Sequence, residues 1–255
     1  MATPGTRTAV VVHAYHTHLL PELEEYLGAL TFPFDVVFTT PHADLAASLD
    51  GWRRRGMPVD VSVNENRGKD LVPFLALLRA GALDPYDFIL KLHLKRSGYS
   101  EAGSAWRRSL YDLLCGDDTT ARESLDLLHR DGVGMVGPHP YFLTHPDFWG
   151  SNRARVAELV RGMGIRVPDT GPPLGFFAGS MFWCRRDALA PLRALPDHLL
   201  RCEDERGQRD GTLAHALERV MGLAVRHAGF TVTSLPLRGG DILEEDCSAN
   251  RIPVL

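Results

Sequence analysis

The sequence predicts an α/β fold with a mostly parallel central sheet flanked by helices. Apolar runs of strand length alternate with segments of helical period from the start of the chain, and this alternation is typical of a parallel sheet covered by helices. The length of 255 residues is enough to bury a large apolar core. We therefore expect a single domain over residues 1–255.

The first part of the chain is predicted to supply the parallel strands. In chain order, these strands are TAVVVHAY, FDVVFTT, PVDVSVN and DFILKLHLKRS. The helices between them are LLPELEEYLGAL, ADLAASLDGWRRRG and KDLVPFLALLRAG. Because ligands in such sheets bind beyond the carboxyl ends of the strands, the residues that follow each strand are the first place to look for a site.

The later part of the chain is predicted to add helices, a loop region and three more strands. A stretch rich in proline and glycine, residues 139–175, is long enough to indicate a functional loop region with one helix near 153–163. The predicted helices are EAGSAWRRSLYDLLCG, TTARESLDLLHRDG, DALAPLRAL and DGTLAHALERVMGLAVRHAG. The predicted strands are VGMVGP, FFAGSMFWCRR and TVTSLPL.

Composition excludes several classes of protein. The net charge of −4 argues against a globally basic nucleic-acid-binding protein. The four cysteines form no C-x-x-C pair, which argues against a disulfide framework or a thiolate zinc site. No apolar stretch is long enough for a secretory signal or a membrane helix. We expect a soluble cytoplasmic protein, which could still bind peripherally at the cytoplasmic face of the membrane.

Basic side chains alternate along the fourth predicted strand. Lys91, His93 and Lys95 lie on one face of this strand, and apolar residues lie on the other. One interpretation is a half-exposed strand whose polar face contacts water. The other is a site where these three side chains bind a diphosphate as point charges and hydrogen-bond donors.

The segment VNENRGKD joins the third strand to the next helix. It contains Asn64, Asn66, Arg67 and Asp70, and a tight turn of this kind before a helix can bind anions. It matches neither a Walker loop nor a dinucleotide-binding fingerprint. The alternative is purely structural, with Asn and Gly forming the turn and Asp70 capping the helix.

Two segments offer aromatic side chains near strand ends. In HAYHTH, Tyr15 could stack on a nucleobase or lie in the core. The three histidines of this segment lack a fixed i,i+4 pair, so a metal site is disfavoured. In FFAGSMFWCRR, residues Gly179, Met181 and Trp183 could form the floor of a sugar pocket, although core packing would also explain them.

Acidic residues precede the long helix near the end of the chain. Glu205 and Asp210 lie in EDERGQRDGT, and His215 shares a helix face with Glu218. A carboxylate here could act as a general base. Asp210 could instead be an ordinary helix N-cap.

These segments together resemble the rhamnan synthesis protein F family, from about His13 to Gly222. The motifs that carry the resemblance are VVVHAYHTHLLPELEEYL, FDVVFTT, VNENRGKDLVPFL, ILKLHLKRS, AWRRSLYDLLCG, AGSMFWCRRDALAPL and EDERGQRDGTLAHALERVMG. The resemblance implies a glycosyltransferase of bacterial cell-surface polysaccharide assembly, with dTDP-rhamnose as a frequent donor and a fold similar to GT-A nucleotide-sugar transferases. It also implies a nucleotide-sugar-binding half at about 1–138 and an acceptor-binding, catalytic half at about 139–255.

The resemblance assigns roles to the candidate residues. GT-A enzymes commonly hold a divalent cation with an Asp-x-Asp motif after the fourth strand, where this chain has KLHLKRS. We therefore expect fixed cations to replace the metal, without excluding Mg²⁺ or Mn²⁺. Lys91, His93, Lys95 and Arg67 are assigned to the diphosphate; Asn64, Asn66 and Asp70 to the nucleoside and ribose; Tyr15 and Thr39 to the base; and Gly179, Met181 and Trp183 to the sugar. Asp210 is the first candidate base, Glu205 the second, and His215 an orienting or proton-accepting neighbour.

Three functions remain in competition. The first is a metal-independent, inverting glycosyltransferase that acts on a growing glycan or a lipid-linked acceptor. The second is a non-catalytic nucleotide-sugar- or carbohydrate-binding subunit of a polysaccharide assembly complex. A phosphotransferase or nucleotide hydrolase is disfavoured, because the sequence has neither a Walker loop nor paired metal-binding carboxylates.

Overall fold

The computed structural model describes residues 5–94, 101–166, 173–235 and 243–244, and the side chains of 101–103 and 243–244 lie outside that description. The strands are β1 (Thr8–His13), β2 (Asp35–Thr40), β3 (Val59–Val63), β4 (Phe88–His93), β5 (Val133–Pro138), β6 (Phe142–Leu143), β7 (Phe176–Phe177), β8 (Phe182–Arg185), β9 (Thr231–Leu235) and β10 (Leu243–Glu244). The helices are α1 (Leu20–Gly28), α2 (Leu45–Ser48), α3 (Asp50–Arg54), α4 (Leu71–Arg79), α5 (Glu101–Cys115), α6 (Asp118–His129), α7 (Arg153–Gly162), α8 (Ala190–Arg193) and α9 (Leu213–His227). Short 3-10 helices are formed by Thr17–Leu19, His139–Tyr141, Pro146–Asn152, Asp187–Leu189 and Asp197–Leu200.

The central sheet has the strand order β10-β9-β5-β8-β4-β1-β2-β3. Four pairs of neighbours are parallel: β1 with β2, β1 with β4, β2 with β3, and β5 with β9. Strand β8 runs antiparallel between β4 and β5, and β10 is antiparallel to β9. The predicted α/β class with a mostly parallel sheet flanked by helices is confirmed.

Helices cover both faces of this sheet. Leu23 and Leu27 of α1 pack with the even-numbered valines of β1, Val10 and Val12. The α4 side chains, Phe74 among them, pack on the opposite face of β1. The connection from β1 to β2 through α1 and the connection from β3 to β4 through α4 therefore pass on opposite faces of the sheet. This makes the carboxyl ends of the neighbouring strands β1 and β4 a topological switch point, the usual ligand crevice in open α/β sheets.

Strand β4 is buried along its whole length. Lys91 is only 1% exposed and His93 only 6% exposed, so the interpretation of a solvated strand face is wrong. The face of the sheet that carries Lys91 and His93 is covered by α4 and by the turn that precedes β8. Both basic side chains are therefore buried.

Two predicted elements are interrupted in the structure. ADLAASLDGWRRRG forms two short helices, α2 and α3, which meet at Leu49. FFAGSMFWCRR does not form one strand, because Gly179 and Ser180 both take positive φ angles, 93° and 51°. Strand β7 therefore pairs with β6 in a separate two-stranded sheet, and β8 joins the main sheet. Within the described ranges, we find no helix of sufficient length and apolarity to cross a membrane.

Candidate active site

A cleft of about 570 Å³ opens at the carboxyl ends of β1 and β4. The start of α4, the turn before β8, the loop before α9 and the first turns of α9 complete its walls. The residues that line it are His13, Tyr15, His16, Asn66, Lys69, Asp70, Leu71, His93, Leu94, Gly179, Ser180, Glu205, Gly207, Ala214, His215 and Glu218. Its volume lies in the range of small-molecule sites, roughly 300–1,000 Å³.

The floor of the cleft is a buried ionic cluster around Asp70. The Lys91 ammonium forms an ion pair with Asp70 Oδ2 and donates a second hydrogen bond to the Ser180 carbonyl oxygen at 2.8 Å. The Ser180 hydroxyl donates to Asp70 Oδ2 at 2.7 Å, and His93 Nδ1 lies 3.4 Å from the same oxygen. Lys91 therefore lies beneath the cleft, where Asp70 and Ser180 bind its ammonium. Asp70 and His93 line the cleft itself.

The charge of Asp70 is fixed by this environment. Burial alone would raise the pKa of Asp70, but the Lys91 ammonium and the His93 ring hold that pKa well below its usual range. Asp70 stands at the N-cap position of α4, yet its side chain makes no capping hydrogen bond. The structure thus assigns the carboxylate to the cluster and not to helix capping.

Backbone strain is concentrated at the same place. Among the described residues, Lys69 and Ser180 are the non-glycine residues with positive φ, at 54° and 51°. This conformation is unfavourable for residues with a Cβ atom and persists only where the surroundings enforce it, often at functional sites. Lys69 also lines the cleft, and its ammonium donates to the Gln208 carbonyl oxygen at 2.9 Å.

His13 lies at the back of the cleft as a neutral imidazole. Its Nδ1 is 2.9 Å from the Thr39 hydroxyl, which places Thr39 behind His13 and outside the cleft lining. Burial lowers the pKa of His13 from 6.5 to about 4; the Asp70 carboxylate opposes this shift, whereas His93 and Lys91 add to it.

The lowered pKa of His13 predicts a loss of stability at mildly acidic pH. Between pH 6.5 and about 4 the unfolded chain binds a proton that the folded His13 does not, so the stability present above pH 6.5 falls as the pH falls. At 1.36 kcal/mol per pH unit, His13 should contribute about 3 kcal/mol of this loss. Urea unfolding of the wild type and of His13→Asn at pH 7 and pH 4.5 measures the loss of unfolding free energy between the two pH values. We expect this loss to be clearly smaller for the variant. Equal losses would contradict the assignment.

Tyr15 is the exposed aromatic side chain at the rim of the cleft. It is 42% exposed and contacts the rings of His16 and His42, with centroids 4.9 and 5.6 Å away. The core position considered from the sequence is therefore excluded, and the exposed part of the ring lies where a planar ligand could contact it. Within the described ranges, no group of three His, Cys, Asp or Glu side chains is arranged to hold a metal ion.

The opposite wall is built by the first turns of α9. Thr212 is the N-cap of this helix, and its N–H and hydroxyl lie 3.3 and 2.8 Å from His215 Nδ1 in a capping box. One turn later, Glu218 accepts a hydrogen bond from the Gly179 N–H at 2.9 Å. This bond ties α9 to the strained turn that also carries Ser180.

Asp210 is not in the cleft lining. It accepts hydrogen bonds from the Ser151 N–H at 2.8 Å and the Asn152 amide at 2.5 Å, and it lies 3.8 Å from Arg219. Burial would raise the pKa of Asp210, but these hydrogen bonds and the Arg219 charge lower it overall. This position favours a structural role, in which Asp210 joins the 146–152 segment to α9. It does not favour the predicted role as the general base, and the N-cap of α9 is Thr212.

The structure brings together about half of the residues proposed from the sequence. Those that line the cleft are Tyr15, Asn66, Asp70, His93, Gly179, Glu205 and His215. Asn64 and Arg67 line a smaller cleft of about 270 Å³, where Arg67 pairs with Glu65 and Asp204. Met181 and Trp183 are fully buried in the core on the other side of the sheet. Lys95 lies outside the described residues.

Other lining residues were not proposed from the sequence. Those with reactive or polar side chains are His13, His16, Lys69, Ser180 and Glu218. The HAYHTH segment and the shared helix face of His215 and Glu218 were visible signals. Ser180 had none, because its role depends on a turn inside an apparent strand.

Comparisons with known proteins identify the family to which this chain is similar. The family described as rhamnan synthesis protein F matches residues 1–230. Proteins called uncharacterized protein WxcX, from two strains of Xanthomonas campestris pv. campestris, are 36% and 35% identical over 230 residues. These matches cover 89% of this chain and 32% of each relative, so the chain spans about a third of their length. Among solved structures, the apo form of mouse xyloside xylosyltransferase 1 aligns with 90% of this chain and 85% of its own, at 11% identity and a TM-score of 0.37.

Proposed function

The chain belongs to the rhamnan synthesis protein F family, and from this premise we propose that it is a glycosyltransferase acting with a nucleotide-sugar donor and a glycan acceptor. Family membership supports the transferase role in general. The finer proposal is inverting transfer of rhamnose from dTDP-rhamnose to a growing cell-surface polysaccharide or a lipid-linked acceptor. The donor sugar is proposed from the family description, because a rhamnan is a polymer of rhamnose.

The observation that carries this proposal is the cleft at the switch point between β1 and β4. It combines an exposed aromatic ring, basic side chains and carboxylates within one space of about 570 Å³. Such a mixture suits a donor that has a planar base, a charged pyrophosphate and a sugar that must meet a second substrate.

Tyr15, Asn66 and Asp70 are assigned to the nucleoside. The exposed ring of Tyr15 is available for stacking on the base, and Asn66 is exposed at the same rim. The ionised Asp70 carboxylate can accept a hydrogen bond from a ribose hydroxyl. Lys91 supports this role from below, because it neutralises and orients Asp70 instead of reaching the donor.

His93 and Lys69 are assigned to the pyrophosphate, together with Lys95 just after β4. The departing nucleoside diphosphate gains negative charge as the glycosidic bond breaks, and fixed positive groups or hydrogen-bond donors lower that barrier. Loss of one such group typically lowers the rate by roughly 10²–10³-fold. The chain has no Asp-x-Asp motif after β4, and we propose that these side chains act in place of a divalent cation.

A turnover assay with a chelator tests the proposal. Incubation of the protein with dTDP-rhamnose and a glycan acceptor should release dTDP at a rate that EDTA changes by less than about twofold, since protein cations stabilise the leaving group. An absolute requirement for added Mg²⁺ or Mn²⁺ would contradict metal independence.

The same assay separates an enzyme from a binding subunit. A non-catalytic subunit would bind the nucleotide sugar in a calorimetric titration and release no dTDP with any acceptor. Binding together with turnover would support the transferase.

A further inference from the structure

Three carboxylates line the cleft within the described part of the chain: Asp70, Glu205 and Glu218. A base that deprotonates an acceptor hydroxyl must face the cleft, stay in place and remain available for a proton. These requirements separate the three residues sharply.

Asp70 is committed to the ionic cluster. Its Oδ2 atom takes hydrogen bonds from Lys91 and Ser180, and a carboxylate stabilised in its charged form in this way is a weak base. Its protonation would also leave the buried Lys91 ammonium without its counter-charge. Asp70 is therefore suited to binding and not to proton transfer.

Glu205 lies on the exposed loop before α9, without regular secondary structure. A side chain on such a loop has many accessible positions, and precise catalytic geometry is better supported by helices and strands. Glu205 can contribute to the charge of the cleft, but within the described residues its carboxylate makes no hydrogen bond or ion pair that would hold it in place.

Glu218 lines the cleft on a rigid helix, and its cation lies farther from its carboxylate than Lys91 lies from that of Asp70. It lies in the second turn of α9, a helix of 15 residues that packs in the core, and its side chain is 18% exposed. The Gly179 N–H donates to Oε1 at 2.9 Å, which holds the carboxylate at the cleft wall. Arg219 Nη1 lies 3.6 Å from Oε2, so the charge of the carboxylate is partly balanced.

We propose that Glu218 is the catalytic base, an inference that rests on the glycosyltransferase function proposed above. The acceptor hydroxyl transfers its proton to the Glu218 carboxylate, and its oxygen forms a bond to the anomeric carbon of the donor. The bond between that carbon and the diphosphate oxygen breaks, and its electron pair leaves with the nucleoside diphosphate.

The turn at Gly179 and Ser180 sets the distance between the base and the donor. Ser180 is bound to Asp70 and Lys91 on the donor side, and Gly179 is bound to Glu218 on the acceptor side. Side chains of Leu110 and Trp106 would lie 3.0 and 3.2 Å from a Cβ at Gly179, so the turn is also confined from behind. One strained turn thus connects the two halves of the reaction site.

The substitution Glu218→Gln separates catalysis from structure, because the amide oxygen still accepts the Gly179 hydrogen bond but cannot take up the proton. We expect kcat to fall by about 10²–10⁴-fold, with dTDP affinity and thermal midpoint close to wild type. Glu123→Gln, the same change at an exposed position of α6, is the matched control and should keep full activity.

Azide supplies an independent readout. The azide anion can attack the anomeric carbon of the donor without first losing a proton, so it needs no catalytic base. Azide should therefore restore dTDP release by Glu218→Ala and yield a glycosyl azide of inverted configuration. Two outcomes would overturn the assignment of Glu218 and leave the proposed function intact. In the first, the wild type is active and Glu218→Gln keeps more than about a tenth of its kcat. In the second, azide fails to restore dTDP release. A wild type that transfers no sugar from any nucleotide sugar overturns this inference together with the proposed function.

Discussion

Replacing Lys91 by methionine should lower the free energy of unfolding by about 3–5 kcal/mol at pH 7, the usual effect of removing one partner of a buried ion pair. The Lys91 side chain is 2% exposed and that of Asp70 is 13% exposed, so water in the cleft compensates only in part for the missing ammonium. Methionine fits the space beside Phe74 and Phe182, whose ring centroids lie 5.7 and 5.9 Å from the ammonium. The loss therefore reports the unpaired charge and not a cavity.

The double variant Lys91→Met with Asp70→Asn is the control for this prediction. It removes both charges, so we expect its loss of stability to be smaller than the sum of the two single losses by a coupling of about 1–3 kcal/mol. Urea unfolding followed by circular dichroism gives all four corners of the cycle. A loss of less than about 1 kcal/mol in Lys91→Met would contradict a buried ion pair. Additive losses for Lys91→Met and Asp70→Asn would contradict it as well.

Acid pH should act on the same pair. The folded-state pKa of Asp70 is lowered, so the stability it contributes is fully present above its unfolded pKa of about 3.9 and is lost as the pH falls through the folded value. Without Lys91 the folded pKa rises, and the contribution is lost at higher pH. The midpoint of acid unfolding should therefore move upward in Lys91→Met.

Replacing Gly68 by alanine should destabilise the protein by about 2–5 kcal/mol, the sum of left-handed strain and overpacking. Gly68 has a φ of 69°, and an added Cβ would lie 2.2 Å from Val72 Cγ2 and 3.1 Å from Cys202 Sγ. Relief of this clash must move the turn that carries Asn66 and Asp70. We expect weaker dTDP binding as well, measurable by calorimetry.

Gly56→Ala separates the two contributions. Gly56 has a similar φ of 78°, but nothing lies within 4 Å of an added Cβ. It should lose only the roughly 1–2 kcal/mol of backbone strain and keep its dTDP affinity. Equal losses for the two variants would show that the contact with Val72 has no effect.

The sequence was sufficient for the fold class because the relevant signals are local. Alternating apolar runs identified the parallel strands and their helices, and period-two alternation correctly placed Lys91 and His93 on one face of β4. Periodicity carries no information on strand direction or order, however, so the antiparallel insertion of β8 between β4 and β5 could not be predicted.

The chemical environment of each side chain depends on partners far away in sequence. The sequence predicts Lys91 to be a diphosphate ligand, whereas in the structure its ion pair with Asp70 and its hydrogen bond to Ser180 join three separate segments of the chain. The sequence favours Asp210 as a base because it lies in an acidic cluster, or as a cap because its neighbours in sequence start a helix. Its actual partners, Ser151 and Asn152, are almost 60 residues earlier.

A crystal structure with dTDP bound tests most directly whether the cleft between β1 and β4 is the donor site. We expect the thymine ring against Tyr15 and the pyrophosphate within hydrogen-bonding distance of His93 or Lys69, with the Lys91–Asp70 pair intact below. A pyrophosphate lodged in the smaller cleft beside Arg67, or anywhere else on the surface, would contradict this assignment.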